Sequence, residues 1–178
     1  MTFPEKPRSI DIWIAKPSKT PFETYLKPTM SGLEFGSGCS TIWLAKRVKQ
    51  LTSVEHSWAW FERVQRLCLE HDINNVNLIY GDRDNYLNIL NDIPDNSLDF
   101  VFNDGLAELR TKCIKGAWHK IKTGGIMVID NSEAWHSKQG IKYIENEGAI
   151  GTRYCGPVIN PWTGRYNEKG VETSIWKK

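Results

Sequence analysis

Short apolar runs alternate with amphipathic segments along most of the chain, and this pattern predicts alternating strands and helices. Apolar runs of four to eight residues without strict alternation are typical of strands that are buried on both faces of a parallel sheet. Five such runs predict strands: "GLEF" at 32–35, "LTSVE" at 51–55, "VNLIY" at 76–80, "SLDFVFND" at 97–104 and "GIMVIDN" at 125–131.

The segments between these runs carry apolar residues at helical spacing. They predict helices in "STIWLAKRV" at 40–48, "SWAWFERVQRLCLEHD" at 57–72, "NYLNILNDI" at 85–93, "LAELRTKCIKGAWHKI" at 106–121 and "SKQGIKYIENEG" at 137–148. The tail at 149–178 predicts two strands around a loop rich in Gly, Pro and Asn, and therefore a hairpin at a sheet edge.

Five strand–helix alternations followed by two strands without a helix are typical of one α/β architecture. We expect a Rossmann-like, doubly wound and mostly parallel sheet of seven strands, with an antiparallel C-terminal edge strand. Residues 31–178 would form this domain. Residues 1–30 contain five prolines and predict an N-terminal arm on the core, with only short helical turns or strands in "SIDIWIA" and "PFETYL".

Composition narrows the classes of function. A net charge of +2 gives no clustered basic surface, so nucleic-acid binding is not expected. No apolar run reaches the roughly 18 residues of a membrane span, and the N-terminus lacks a signal-peptide pattern. The four cysteines are scattered and form no C-x-x-C pair. We therefore expect a cytoplasmic protein with reduced thiols.

A glycine turn after the first strand is the first candidate for a binding site. Gly36 and Gly38 stand between a strand and a helix, where the backbone can approach a ligand closely. Glu55 ends the second strand 19 residues after Gly36, a position from which a carboxylate can bind both ribose hydroxyls. Glu34 lies inside an apolar strand and needs hydrogen bonds there, so it either braces the glycine loop or lies near a cationic ligand group.

The segments "LEFGSGCST", "SVEH", "YGD", "FVFNDG" and "GGIMVIDN" together resemble the class I S-adenosylmethionine-dependent methyltransferases, in order and at matching intervals. The resemblance implies that Glu34, Gly36 and Gly38 form the loop around the methionine part of S-adenosylmethionine. It implies further that Glu55 binds the ribose and that Asp82 lies near the adenine. It also assigns Ser40, which replaces the family's third loop glycine, and Asp104 to the cofactor site.

Oxygen-bearing side chains follow two neighbouring strands. Asp104 ends the fourth strand, and Asp130 and Asn131 end the fifth. Such oxygens suit Mg²⁺ or Ca²⁺, and the arrangement is similar to that of the catechol and caffeoyl-CoA O-methyltransferases. The resemblance implies a divalent ion that orients a substrate hydroxyl. The lysine that follows the aspartate in those enzymes is missing here, and the alternative is that these residues only cap a helix and form a turn.

The sequence gives fewer signals for the general base and for the pocket that holds the methyl acceptor. His136, which closely follows the fifth strand, is the preferred general base and would act with Asp104 as a catalytic residue; the other candidates are His119, Glu133 and Glu108. The pocket must come from residues 1–30, 132–140 and 156–169, and a second subunit of a homodimer is a possible contributor. Loop aromatics that form a substrate wall, or alternatively pack on the hairpin, are Trp135, Trp162 and Tyr166.

These features predict an S-adenosylmethionine-dependent methyltransferase that modifies a hydroxyl of a small molecule or glycan. A divalent cation such as Mg²⁺ would assist it if the oxygen cluster after the fourth and fifth strands holds one. Oxygen is preferred as the acceptor atom because of the Asp104, Asp130 and Asn131 cluster. Two alternatives remain open at this point. One is an NAD-binding oxidoreductase, which would need a fuller phosphate loop, and the other is a methyltransferase-like binding or scaffold protein without catalysis.

Overall fold

The computed structural model describes residues 4–178 and contains seven strands and six α-helices within that range. The strands are β1 Ser31–Phe35, β2 Gln50–Glu55, β3 Val76–Tyr80, β4 Leu98–Asn103, β5 Ile121–Asp130, β6 Ile150–Ile159 and β7 Tyr166–Lys177. The helices are α1 Lys16–Tyr25, α2 Cys39–Ala45, α3 Trp58–Glu70, α4 Ile89–Asp92, α5 Arg110–Trp118 and α6 Trp135–Asn146, and a 3₁₀ turn spans Ala107–Leu109.

The strands form one sheet in the order β3-β2-β1-β4-β5-β7-β6. The first five strands in this order run parallel to one another, and β7 runs antiparallel to both β5 and β6. The predicted Rossmann-like, mostly parallel sheet of seven strands is confirmed, with the terminal hairpin at one edge. Within that hairpin the antiparallel C-terminal strand β7 lies one position inside the edge, because it inserts between β5 and β6.

Alternate residues of the central strands supply a core on each face of the sheet, as the two-residue period of a strand requires. On one face, Leu33 and Met127 pack with α5 and α6. On the other, Phe102 and Val128 pack with α2 and the N-terminal segment. Helices therefore cover both faces, and the carboxyl ends of the parallel strands are left to form the functional edge.

The N-terminal segment contributes directly to the second core. Phe22 of α1 is fully buried and lies about 6 Å from the rings of Trp43, Phe100 and Phe102. The helix is only ten residues long, as the prolines led us to expect. It begins beside Pro17, which packs on Gly156 of β6.

Two helices differ from the prediction. The fifth was expected at 106–121, whereas α5 ends at Trp118 and β5 already begins at Ile121. Pairing of Ile121 with Leu98 of β4 outweighs the helical pattern of the sequence. The helix expected at 85–93 is reduced to the short α4, preceded by turns. All four thiols are free, and no helix within residues 4–178 is long and apolar enough to cross a membrane.

Candidate functional site

A cavity of about 420 Å³ opens at the carboxyl ends of β1, β2 and β4. This is the edge at which doubly wound α/β sheets bind ligands, and the volume lies within the usual range for small-molecule sites. The loop after β1, the end of β2, the segment after β4, the N-terminal arm and the β6–β7 loop all contribute to its wall. The lining residues are Asp11, Trp13, Gly36, Ser37, Gly38, Cys39, Ser40, Glu55, His56, Ser57, Trp60, Phe102, Asp104, Gly105, Leu106, Ala107, Pro161 and Trp162.

The turn after β1 requires glycine at its first position. Gly36 has a φ of +88°, and a Cβ atom there would lie 2.5 Å from the carbonyl oxygen of Asp104. Its amide donates to Val54 O at 2.9 Å, while Asp104 N donates to Phe35 O at 2.9 Å. Gly38 has an extended backbone, and the nearest atom to an added Cβ would be Trp60 Nε1 at 3.8 Å. Gly36 thus shapes the loop, whereas Gly38 leaves space beside the cavity.

Glu34 is fully buried beneath this loop and does not line the cavity. Its carboxylate accepts hydrogen bonds from Ser40 Oγ at 2.6 Å, Thr41 Oγ1 at 2.6 Å and Ser53 Oγ at 2.5 Å. Thr41 Oγ1 in turn accepts from the Gly38 amide at 2.9 Å. Burial raises the pKa of Glu34 to about 7, against the opposing effect of the three hydroxyls. Of the two roles predicted for Glu34, the structure favours bracing the loop.

Glu55 lines the cavity, and backbone amides hold both oxygens of its carboxylate. Oε2 accepts from the Ser37 amide at 3.0 Å, and Oε1 accepts from the Ser57 amide at 2.8 Å. His56 Nδ1 lies 3.0 Å from Oε1. Burial raises the pKa of Glu55, and these hydrogen bonds and the neighbouring His56 oppose that rise. A buried carboxylate fixed by two amides is a well-oriented acceptor for paired ligand hydroxyls.

Asp82 lies outside the cavity lining. Its Oδ1 accepts from the Asp84 amide at 3.1 Å and from the backbone and side-chain amides of Asn85 at 3.0 and 2.9 Å. These contacts stabilise the turn after β3. The role of Asp82 near an adenine remains a prediction.

The ends of β4 and β5 are joined by a buried guanidinium. Arg110 at the start of α5 donates from Nη2 to Asp104 Oδ1 at 2.6 Å, from Nε to Gly105 O at 3.0 Å, and from Nη1 to Asp130 O. Asp130 Oδ1 accepts from Thr173 Oγ1 at 2.6 Å. Burial raises the pKa of Asp104 and of Asp130, and the charge of Arg110 opposes both shifts. One cation thus balances two neighbouring carboxylates.

This arrangement does not fit the predicted divalent ion. The three donor groups of Arg110 fill the space between the strand ends, and Asp130 Oδ1 is already engaged. Mg²⁺ needs near-octahedral oxygen ligands at 2.0–2.1 Å, but Asp104 Oδ1 is bound to the guanidinium and Asp130 Oδ1 is bound to Thr173 Oγ1. Asn131 has a left-handed φ of +50°, and its carbonyl accepts from the Ala134 amide. Asn131 therefore forms a turn, which was the alternative to a metal site. Within residues 4–178, no group of three or more His, Cys, Asp or Glu residues is placed to hold a metal ion.

Of the predicted general base and the three predicted aromatic residues, only Trp162 lines the cavity. His136 lies in the first turn of α6 and does not line the cavity; its Nε2 is buried and unpaired, and burial and then Arg110 lower its pKa. Trp135 is 78% exposed and also lies outside the cavity. Trp162 is buried in the cavity wall, with its ring centroid 4.8 Å from that of Trp60. Tyr166 lines a second, neighbouring cavity.

Several lining residues were not predicted from the sequence. Asp11 and Trp13 reach the cavity from the N-terminal arm, and Trp60 reaches it from α3 and donates to Ser37 O at 2.6 Å. Arg110 organises the opposite strand ends. The sequence placed residues 1–30 at the acceptor pocket without indicating which of them enter it, and the direction of the Arg110 side chain depends on tertiary packing.

Comparison with known proteins supports the resemblance of the sequence to methyltransferases. Residues 33–132, more than half of the chain, match the family described as "Methyltransferase domain". No curated protein sequence matches the chain.

Solved structures share the fold at low sequence identity. A precorrin-6y C5,15-methyltransferase from Geobacter metallireducens superposes with a TM-score of 0.73 at 16% identity, covering 92% of this chain and 89% of that one. The O-methyltransferase TomG from Streptomyces achromogenes gives 0.67 at 18% identity, with 92% and 80% covered. An O-methyltransferase from Bacillus cereus gives 0.66 at 18% identity, with 94% and 82% covered.

Proposed function

The chain belongs to the S-adenosylmethionine-dependent methyltransferases, and from this premise we propose that it methylates a hydroxyl oxygen of a small molecule or glycan. Membership of this family makes S-adenosylmethionine the methyl donor and decides against the NAD-binding oxidoreductase. The observation that supports an oxygen acceptor is the carboxylate of Asp104, which lines the same cavity as the glycine loop and Glu55.

The cavity residues suit the donor at three points. Gly36 and Gly38 keep the loop close and free of side chains, and the paired oxygens of Glu55 are oriented to accept from vicinal hydroxyls. Trp60 and Trp162 supply an apolar wall. When bound, S-adenosylmethionine supplies a methyl group on a positively charged sulfur, which an acceptor can attack once it is aligned.

Asp104 is placed to take the acceptor's proton. Its side chain is one-third exposed, toward the cavity, and Arg110 fixes its Oδ1. Burial raises the carboxyl pKa and so makes Asp104 a stronger base than a free aspartate. The acceptor's O–H would give its proton to the Asp104 carboxylate as the oxygen bonds to the methyl carbon. The electron pair of the broken methyl–sulfur bond would stay on sulfur, so neutral S-adenosylhomocysteine would be the leaving group. His136 could receive that proton only through another group, because it does not line the cavity.

The proposal includes no divalent cation, because the donor set at Asp104, Asp130 and Asn131 does not fit one. The other expectations on partners stay predictions: no nucleic acid, a possible homodimer and a cytoplasmic location. A binding protein without catalysis is the alternative that the experiment below distinguishes.

Transfer of a radiolabelled methyl group to a panel of hydroxylated compounds tests the function. We expect labelled product from wild type in the presence of a chelator, and a loss of about 10²–10⁴-fold in kcat for Asp104→Asn, the range attributed to general-base catalysis. Wild-type kcat should rise with pH as Asp104 deprotonates, and the matched surface variant Asp95→Asn should retain full activity. Exclusive methylation of nitrogen or carbon, or donor binding without transfer to any compound, would contradict the proposal.

A further inference from the structure

A second cavity, of about 690 Å³, adjoins the first. Trp13 lines both, and the turn at 160–163 separates them, with Pro161 and Trp162 on one side and Asn160 and Thr163 on the other. The remaining wall comes from the β6–β7 hairpin. We call this cavity the hairpin groove; its lining residues are Trp13, Val158, Asn160, Thr163, Arg165, Tyr166, Asn167, Glu168 and Lys169.

The groove carries an excess of positive charge. Two cationic side chains, Arg165 and Lys169, line it together with one carboxylate, that of Glu168. Among the residues that the structure describes, none of these three takes part in an ion pair. Two cations without carboxylate partners in one concave surface attract an anion, whereas charges that are already paired contribute little.

Neutral groups in the groove add donors and aromatic surface. Asn160 is buried, and its Oδ1 accepts from the amides of Trp162 and Thr163 at 2.9 and 3.1 Å, so Nδ2 is the atom left to donate. Trp13 and Tyr166 are 39% and 56% exposed. Exposed rings beside cations suit a planar or sugar-like body that carries a negative group.

We propose that the hairpin groove binds the anionic part of the methyl acceptor, a hydroxylated carboxylate or phosphate, whose hydroxyl reaches the first cavity past Trp13. This inference rests on the proposed function. It predicts that neutral analogues are poorer acceptors because they leave Arg165 and Lys169 without a partner.

Calorimetric titration in the presence of S-adenosylhomocysteine tests the groove. The probes are 3,4-dihydroxybenzoate, catechol as its neutral counterpart, and 4-hydroxyphenyl phosphate as the phosphate arm. We expect at least one anion to bind about tenfold more tightly than catechol, with the advantage reduced at high salt because the cations are exposed. The tighter of the two anions identifies the group that the groove prefers.

A double variant, Arg165→Gln with Lys169→Gln, should lose the preference for the anion, while its affinity for S-adenosylhomocysteine stays at the wild-type value. Lys177→Gln, an exposed lysine at the far end of β7, is the control and should behave as wild type. Absence of anion binding, or an equal preference in the double variant, would overturn the groove proposal. If the wild type does not bind S-adenosylhomocysteine, that result would instead contradict the proposed function.

A separate observation concerns Arg110, whose side chain is only 7% exposed and whose three donor groups bind the ends of β4 and β5. We infer that this guanidinium takes the place of the expected divalent ion and acts as a positioning residue for Asp104. Unlike a metal ion, the guanidinium is a covalent part of the chain, so a chelator cannot remove it.

Thermal unfolding with and without millimolar Mg²⁺ tests this inference. The wild-type Tm should not change on addition of Mg²⁺ or a chelator. Arg110→Ala leaves Asp104 and Asp130 without their cation, so its lowered Tm should rise on addition of Mg²⁺, and Arg110→Lys should recover part of the Tm without Mg²⁺. A Mg²⁺-dependent Tm in the wild type would overturn the inference, whether or not Arg110→Ala folds. If the variant folds and does not respond to Mg²⁺, the inferred replacement is also wrong.

Discussion

The two loop glycines illustrate how residues of one type can serve different ends. At Gly36, a positive φ and the nearby carbonyl of Asp104 leave no room for a side chain. At Gly38, the backbone is extended and the surroundings are open, so the absence of a side chain matters to the cavity alone.

Alanine at each position should therefore separate stability from binding. Gly36→Ala should lower the free energy of unfolding by about 2 kcal/mol or more, because the strained backbone and the contact with Asp104 add together. Gly38→Ala should keep the wild-type stability within about 0.5 kcal/mol and bind S-adenosylhomocysteine about tenfold more weakly. Denaturant unfolding and calorimetry measure the two effects, and equal stability losses in both variants would contradict this assignment.

Glu34 should make stability depend on pH. Burial raises its pKa from 4.5 to about 7 in the folded protein, so between these pH values the folded state holds a proton that the unfolded state has released. The contribution of Glu34 is thus complete below pH 4.5 and is lost as the pH rises through 7. Relative to Glu34→Gln, the wild type should lose on the order of 3 kcal/mol over this interval, since each pKa unit corresponds to about 1.4 kcal/mol. Parallel stability curves for the two proteins would show that Glu34 remains ionised when folded.

At the scale of elements, the loop between β6 and β7 closes one side of the cavity beside the glycine loop. Pro161 O accepts from the amides of Arg8 and Ser9 at 2.8 and 3.1 Å, which ties the loop to the N-terminal arm. Trp162 reaches α3, where it packs on Trp60. Three segments that are distant in sequence thus meet at one wall.

Removing the indole of Trp162 should affect both stability and binding. Trp162→Ala should lower the free energy of unfolding by roughly 3–5 kcal/mol, as for large-to-small changes in a core, and should weaken S-adenosylhomocysteine binding by opening the wall. Trp135→Ala, the same substitution at a side chain 78% exposed, is the control and should cost about 0.5 kcal/mol or less. Similar losses in the two variants would mean that Trp162 does not support the wall.

For the whole molecule, local patterns were sufficient to predict the sheet and the edge at which the first cavity opens. The parallel order follows from short apolar runs such as 97–104 alternating with helices, and the glycine turn and Glu55 lie in one cavity because strand ends share an edge. The position of β7 inside the edge could not be read from the sequence, since a hairpin pattern does not say which strand pairs with β5.

The cation site shows the limit of reading residues by type. Asp104 and Asp130 do come together at neighbouring strand ends, but the sequence gives no sign that Arg110, six residues after Asp104, turns back between them. The helical pattern there placed Arg110 inside a long helix, whereas α5 begins at that residue. Side-chain direction at a helix start is set by tertiary contacts, and here it places the guanidinium of Arg110 between the Asp104 carboxylate and the backbone carbonyl of Asp130.

The cofactor site is tested most directly by a calorimetric titration of the wild type and Glu55→Gln with S-adenosylhomocysteine, with the exposed Glu147→Gln as control. We expect binding in the micromolar range for the wild type and the control, and a loss of roughly 10–100-fold for Glu55→Gln, the cost of replacing a charged acceptor of ligand hydrogen bonds. No binding by a folded wild-type protein, or equal binding by all three, would contradict the claim that the cavity beside the glycine loop is the cofactor site.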